Sequence, residues 1–422
     1  MGKYLCTGAR KEEMMEERWK RNVTLFLMSQ AISFFGTSLV QYAIMWYITL
    51  NTQSGVMMTI SIICGFLPTF FLSPFAGVWA DRFSRKLLIA LSDSLIALAT
   101  LILAILFLTG HDALWLLFVM SALRALGSGV QTPAVGAFLP QLVPEDQLTK
   151  VNGISSSIQS MVTLISPMLS GALLTVASIE MIFFIDVITA VIGVSVLLFF
   201  LHVPVHAKAL GQQSVSYFKD LKEGFKYIKN HDYIKQFFLF SAFFFILAAP
   251  VAFLTPLQVT RSFGSDVWRL TAIEVSFSLG MIAGGLIMAS WGGFKNRVHT
   301  MTMAMLAIGV CTLALGIVPN FWIYLTFMGL VGITMPMFNT PAIVLLQEKV
   351  EVDFLGRVFG VLGMISSSMM PLGMLIFGPV ADIVEIETLL IGTGLLLCIQ
   401  SFFLIGSKNL LAAGKAIENP EN

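Results

Sequence analysis

Among the charged residues inside long apolar runs are Arg124, Asp93 and Asp186. Arg124 is about eleven residues from the nearer end of its run, about 16 Å deep at about 1.5 Å per residue, which is the middle of a hydrocarbon layer. A charge there costs at least about 2.5 to 3.5 kcal/mol, so it should face a bundle interior and be paired. Asp93 enters its run from one side and Asp186 from the other. Counted by depth, Asp93 is the expected partner. Burial favours a protonated carboxyl and an adjacent arginine favours the carboxylate, so a motion that separates the two exchanges a proton. Arg124, Asp93 and Asp186 are therefore candidates for proton coupling, with a structural ion pair between helices as the alternative. Polar side chains at helical spacing accompany them: Gln30, Ser33, Thr37 and Gln41 in one run, Ser121, Arg124, Ser128 and Gln131 in another. In apolar surroundings such stripes line a wet cavity or hydrogen-bond neighbouring helices.

A second chemical feature is the short loop Gly77-Val78-Trp79-Ala80-Asp81-Arg82-Phe83-Ser84-Arg85-Lys86. An ordinary positive loop accounts for Arg82, Arg85 and Lys86, but not for Gly77 four residues before Asp81. Gly292-Gly293-Phe294-Lys295-Asn296-Arg297 is a degraded copy without the aspartate. A third feature is Ser166-Pro167-Met168-Leu169-Ser170-Gly171, where small residues allow close helix approach and Pro167 bends the chain.

The elements that position these residues follow from composition. With 57% hydrophobic and 12% charged residues, the chain has far too much apolar surface for an aqueous core. Twelve runs reach the roughly 20 apolar residues that cross a bilayer. Of the 25 Lys and Arg, 22 fall in segments on one side of those runs, which predicts both termini in the cytosol. The long break after residue 201 divides the runs six and six. The expected organisation is a cytosolic segment 1–22, a six-helix bundle 23–201, a cytosolic linker 202–234, a second bundle 235–406 and a cytosolic tail 407–422. In the linker, Phe218, Leu221, Phe225 and Ile228 form an apolar stripe against Lys219, Lys222, Lys226 and Lys229, the pattern of a helix lying on the inner leaflet or of a solvated linker helix.

The halves echo each other. Gln131-Thr132-Pro133-Ala134 matches Asn339-Thr340-Pro341-Ala342, and Pro167 and Pro371 fall at similar places one helix later. A duplicated six-helix unit is the expectation, and Asn339 joins the candidate cavity residues. The four Cys and five His are scattered without ligand spacing, so no metal and no cofactor is expected. There is no phosphate-binding G-x-x-x-x-G-K-[ST] loop, no soluble domain to hold ATP and no charge pattern for nucleic acid. An enzyme would need convergent catalytic groups that the sequence does not offer.

The loop 77–86 resembles the signature of the major facilitator superfamily, G-x-x-x-D-R-x-x-R-K, with Ser84 where that family usually has glycine. Arg124-x-x-Gly127-x-Gly129 resembles its proton-coupling motif in the fourth helix, and residues 166–171 a weakened form of the motif found in its antiporters. Residues 65–68, 142–150, 280–285, 347–349 and 355–359 extend the likeness to the bacterial macrolide-efflux branch among drug:proton antiporters. The resemblance implies an all-α major facilitator fold of two pseudo-symmetric six-helix bundles in a bacterial cell membrane, functional as a monomer. It further implies a latch in which Asp81 meets the positive end of the eleventh helix near residues 356–359. The function it implies is proton-coupled export of lipophilic small molecules, macrolide-type antibiotics among them. Export of a metabolite or siderophore, or solute:proton symport, are the alternatives.

Overall fold

The computed structural model describes residues 2–144, 147–201 and 217–415, with the side chains of residues 2–18 and a few others left aside. Among the described residues twelve helices are long and apolar enough to cross a membrane. The protein is an all-α, multi-pass membrane protein.

The first helix is longer than the sequence suggests. α1 covers Gly2–Thr52 and absorbs the whole of the expected lead-in. Residues 9–21 contain no Gly or Pro and are rich in Glu, Lys, Arg and Met, so nothing stops the helix. α2 (Gly55–Arg82), α3 (Arg85–Leu108), α4 (Leu114–Leu142), α5 (Leu148–Val176) and α6 (Ile179–Ser195) follow, and α6 ends in a π-helical turn over Val196–Phe200. After the linker come α7 (Tyr217–Asn230), α8 (Asp232–Phe253) and α9 (Thr255–Ser262), then α10 (Val267–Trp291), α11 (Arg297–Leu315), α12 (Phe321–Lys349), α13 (Val352–Val380), α14 (Ile386–Gly406) and α15 (Lys408–Ala413). α8 and α9 are one span broken at Leu254, where Pro256 cannot donate to the helical ladder. Ser84, Asn296, Asn320 and Ser407 accept backbone N–H groups and cap α3, α11, α12 and α15.

The chain forms two compact units, one of residues Met1–Tyr47 and Ser61–Gln212, the other of Ile48–Ile60 and Gln213–Asn422. In the first, α3 packs on α4 and α6; in the second, α11, the third span of its half, packs on α12 and α14, the fourth and sixth. A basic residue opens each of these third helices and reaches the end of the fourth. Arg85 Nη1 donates to Ala137 O at 2.7 Å, and Arg297 Nη2 donates to Glu348 Oε1 at 3.1 Å, at sequence separations of 52 and 51. The repeat seen in sequence thus has a counterpart in packing.

In the second unit, α10 and α12 approach until a Cβ at Gly280, Gly284 or Gly332 would collide with the facing backbone carbonyls, so only glycine fits the crossing. The linker helix α7 docks on α13, and of the expected stripe only Phe225 and Ile228 fall among the described side chains. Tyr227 and Ile228 are buried, Tyr227 stacks on Phe354 at 4.5 Å, and Glu223 pairs with Arg357 at 3.2 Å, while Phe225 is left exposed. The stripe drawn from Phe218 and Leu221 falls on side chains outside the described residues. The C-terminal α15 folds back on the turn before α11, where Asn296 Nδ2 donates to Leu411 O at 2.9 Å.

Candidate functional site: a buried ionic cluster in the first unit

Arg124 is 6% exposed, Asp93 2% and Asp186 fully buried, so the three charges sit inside the first unit. The pairing differs from the depth count. Arg124 Nη1 meets Asp186 Oδ2 at 2.5 Å, not Asp93. The helices are longer than the bilayer core: α3 spans about 36 Å and α4 about 43 Å at about 1.5 Å per residue. Depths counted inward from opposite ends therefore do not meet. Arg124 and Asp186 both follow the N-terminal ends of even-numbered helices, and one arginine side chain spans their difference in level.

Hydroxyls complete this pair. Thr100 Oγ1 donates to Asp186 Oδ2 at 2.8 Å and also meets Arg124 Nη1, Thr37 Oγ1 donates to Asp186 Oδ1 at 3.4 Å, and Arg124 Nη2 donates to Thr37 O at 3.1 Å. Asp93 has a separate environment. Its Oδ1 accepts from Ser33 Oγ at 3.0 Å and Gln131 Nε2 at 2.5 Å, while its buried Oδ2 has no hydrogen-bond partner among the described residues. One carboxylate is neutralised by the arginine; the other has neutral donors only.

Glycines bring these helices within reach. At Gly36 a Cβ would strike Thr189 Oγ1 and lie 2.9 Å from Asp186 Oδ1, so α1 can touch α6 only through glycine. Within Arg124-x-x-Gly127-x-Gly129, a Cβ at Gly127 would lie 3.1 Å from Ser92 O and one at Gly129 3.1 Å from Thr69 Cα. Those two residues seat α4 on α3 and α2 while Arg124 carries the charge. The position that the repeat offset gives for Arg124 in the second unit is Gly332, which packs on α10. Among the described residues the Arg124–Asp186 pair therefore has no counterpart at the equivalent position of the second half.

Of the expected cavity residues, Ser33 and Thr37 serve the carboxylates instead. Gln30 and Gln131 do line a cavity of about 330 Å³, together with Phe26 and Phe34. Asn152, Ser155, Ser156 and Gln159 of α5 line it too and were missed, although their i, i+3, i+4, i+7 spacing is the same signal that marked the first and fourth spans. Leu27, Ala31 and Ile158 are shared with a larger cavity of about 850 Å³ lined by Trp19, Val23 and Met28. Gln41 and Asn339 are exposed and Ser121 and Ser128 half-buried, and none of the four lines either cavity. In α5, Ser170 Oγ donates to Leu39 O of α1 at 3.1 Å, fully buried Ser166 makes no side-chain hydrogen bond among the described residues, and Pro167 and Gly171 lie inside the helix.

The basic loop holds the first unit together. Arg85 Nε donates to Ala80 O at 3.0 Å in addition to its bond to α4, and Lys86 Nζ donates to Leu198 O at 3.0 Å and Leu201 O at 2.7 Å. Both cations cap helix C-termini, where unpaired carbonyls gather negative potential. Gly77 lies in α2; the side chains of Asp81 and Arg82 lie outside the described residues.

A second polar cluster, not foreseen, lies in the second unit. Asp382 caps the start of α2: Oδ1 accepts from Gly55 N at 2.7 Å, and Oδ2 from Val56 N at 3.0 Å and Ser54 Oγ at 2.6 Å. Arg261 closes it, donating to Asp382 Oδ1 at 2.9 Å, Ala381 O at 2.6 Å and Gln53 O at 2.5 Å. Partial burial alone would raise the Asp382 carboxyl, but the donors from Ser54, Val56, Gly55 and Arg261 outweigh it and hold it below the ordinary value of 3.8.

Twelve spanning helices in two similarly packed halves, with a closed ionic cluster inside one of them, define a multi-pass membrane transporter. The model of the Major Facilitator Superfamily matches residues 26–374, and the chain belongs to that family. It is 29% identical to Macrolide efflux protein A of Streptococcus pyogenes over 385 residues, covering 90% of this chain and 95% of the relative. It is 24% identical to the Staphyloferrin A transporter of Staphylococcus aureus, covering 85% and 89%. Among solved structures, a bacterial homolog to the human lysosomal transporter Spinster matches with a TM-score of 0.70 at 13% identity over 95% of this chain and 99% of that one, a likeness of fold alone. The protein is a transporter of small molecules and not an enzyme.

Proposed function

We propose that the chain is a proton-coupled secondary active exporter of lipophilic small molecules, macrolide-type antibiotics among them, in a bacterial cell membrane with both termini in the cytosol. The observation that carries the coupling is the unequal treatment of two buried carboxylates. Arg124 neutralises Asp186, while among the described residues Asp93 has only Ser33 and Gln131 and one oxygen unbonded. A carboxylate with no counter-charge in a desolvated site is the group that takes a proton, and Gln131 links it to the cavity that Gln30 and Gln131 line. Protonation of Asp93 weakens its bond to Gln131 and frees that side chain for cargo. The 29% identity to a macrolide efflux protein over nearly the whole chain supports the direction and the cargo class. The energy suffices: one proton crossing about 150 mV supplies about 3.5 kcal/mol, a roughly 300-fold solute gradient.

In this reading the signature loop 77–86 supplies the inner latch, and the Asp382–Arg261 cluster holds residues 53–56 on the outer side. Alternating access requires each to open in turn. The test is drug uptake into energised everted vesicles. Wild type accumulates erythromycin under an imposed pH gradient and Asp93→Asn does not; gradient-driven accumulation by Asp93→Asn would remove Asp93 from the coupling.

The 24% identity to a staphyloferrin A transporter favours a second reading, export of a polar siderophore or metabolite by the same machinery. Unchanged macrolide susceptibility of an expressing host would favour it.

A further inference from the structure

The larger cavity of the first unit, about 850 Å³, is used neither by the ionic cluster nor by the coupling assigned to Asp93. Among the described residues its lining comes from α1, α5 and the turn before α5 alone. It shares Leu27, Ala31 and Ile158 with the polar cavity that Gln30 and Gln131 line, but no polar side chain. On α5 it is faced by Lys150, Val151, Ile154 and Ile158, roughly a third of a turn from Asn152, Ser155, Ser156 and Gln159, which face the polar cavity. The groove has an ordered polarity. As the first and fifth spans, α1 and α5 run in the same direction, so Lys20, Gln147 and Lys150 stand at one end and Ala31 and Ile158 at the other. Both lysines are exposed, and Lys20 Nζ lies 5.9 Å from the centre of the Trp19 ring, an aromatic of the kind that favours a membrane boundary. The Thr24 hydroxyl donates to Lys20 O at 2.9 Å, back along its own helix. Further in, Met28 and Ile154 are exposed and apolar. From residue 19 to residue 31 the groove runs about 18 Å at about 1.5 Å per residue, close to half of a roughly 30 Å hydrocarbon layer.

We infer that this groove holds an anionic phospholipid, with its phosphate at Lys20 and Lys150 and one acyl chain along Met28, Ile154 and Ile158. Cationic charge at one end and an apolar wall over the depth of one leaflet repeat the order of a lipid, head to tail. They do not suit a lipophilic cation, which the two lysines repel. Among the described residues no carboxylate lines the cavity to offset them. Each lysine near anionic headgroups is worth roughly fivefold in affinity, and its methylene stem can lie along the apolar wall while the ammonium stays at the boundary. The inference takes from the proposed function only the orientation that assigns this lipid to the inner leaflet; neither the direction of transport nor the cargo enters it.

The experiment is native mass spectrometry of the full chain in detergent micelles, titrated with two lipids of identical chains: dioleoylphosphatidylglycerol, anionic, and dioleoylphosphatidylcholine, zwitterionic. Wild type binds one phosphatidylglycerol at least tenfold more tightly than phosphatidylcholine. Lys20→Gln/Lys150→Gln loses that preference and Lys20→Arg/Lys150→Arg, which keeps both charges, retains it. Ile154→Trp fills the apolar part without touching the lysines and weakens phosphatidylglycerol binding at least fivefold. Equal affinity of wild type for the two lipids, or a preference that survives the glutamine variant, overturns the assignment. Undiminished binding by Ile154→Trp reduces the effect to surface charge and overturns the groove. Displacement of the bound lipid by erythromycin would make the cavity a cargo vestibule and overturn the lipid as its occupant. A chain that binds phosphatidylglycerol in this way yet accumulates no drug in everted vesicles would refute export and leave this site standing, and drug accumulation by a chain without the lipid preference would do the reverse.

Discussion

Arg124→Met removes the guanidinium from Asp186 while roughly keeping side-chain volume. Asp186 is fully buried, and after the substitution only the Thr37 and Thr100 hydroxyls remain to it. Breaking one side of a buried pair costs about 3 to 5 kcal/mol, because the charge left behind is uncompensated. Those two hydroxyls already donate to Asp186 in the intact site and so recover nothing, and the expected loss stays at about 3 to 5 kcal/mol, or a factor of roughly 150 to 5,000 in the unfolding equilibrium. Asp186→Leu should cost a similar amount by stranding Arg124. The double variant Arg124→Met/Asp186→Leu strands no charge and should recover to within about 1 kcal/mol of wild type. Reversible unfolding in mixed detergent micelles reads the four corners of this cycle. Transport in proteoliposomes then separates structure from coupling: the double variant should be folded and inactive. Single variants as stable as wild type would refute the closed geometry of the pair, and an active double variant would reduce Arg124 and Asp186 to a structural tie.

Three further outcomes follow from the same geometry. Gly36→Val drives a side chain into Thr189 and Asp186, and should cost about 1 to 3 kcal/mol and lower drug transport more than Gly65→Val, a site with nothing within 4 Å of a Cβ. Asp382→Ala removes the cap from α2 and the partner of Arg261, about 1 to 3 kcal/mol in all, and should speed maleimide labelling of a cysteine placed at Met57 several-fold. Because the folded Asp382 carboxyl sits below 3.8, the clamp's stabilisation is complete above that value and is lost only as pH falls through the lower folded value, so the same labelling, divided by that of a free cysteine peptide at each pH to remove the thiol's own titration, should be flat between about pH 8 and 5. Asp81→Asn should abolish transport with insertion unchanged, as measured by drug susceptibility beside membrane abundance, and full efflux by that variant would remove the latch.

The sequence by itself determined the class of fold. Spanning helices are recorded in runs of apolar residues, because a bilayer demands length and hydrophobicity locally, and the family signature sits within ten consecutive residues. It also singled out Arg124, Asp93 and Asp186, since charge at membrane depth is costly wherever it occurs. It did not determine which of the carboxylates Arg124 meets, because that depends on how far each helix overshoots the bilayer and on glycine contacts such as Gly36 against α6. It marked Ser33 and Thr37 as polar but not what they bond to. The Asp382 clamp was invisible: its members lie at residues 53–56, 261 and 381–382, with Ser54 and Asp382 328 positions apart, and carry no shared motif. Periodicity is a property of one helix and survives in the chain as written, whereas partner choice is decided among helices, by register and close packing that only the folded molecule sets.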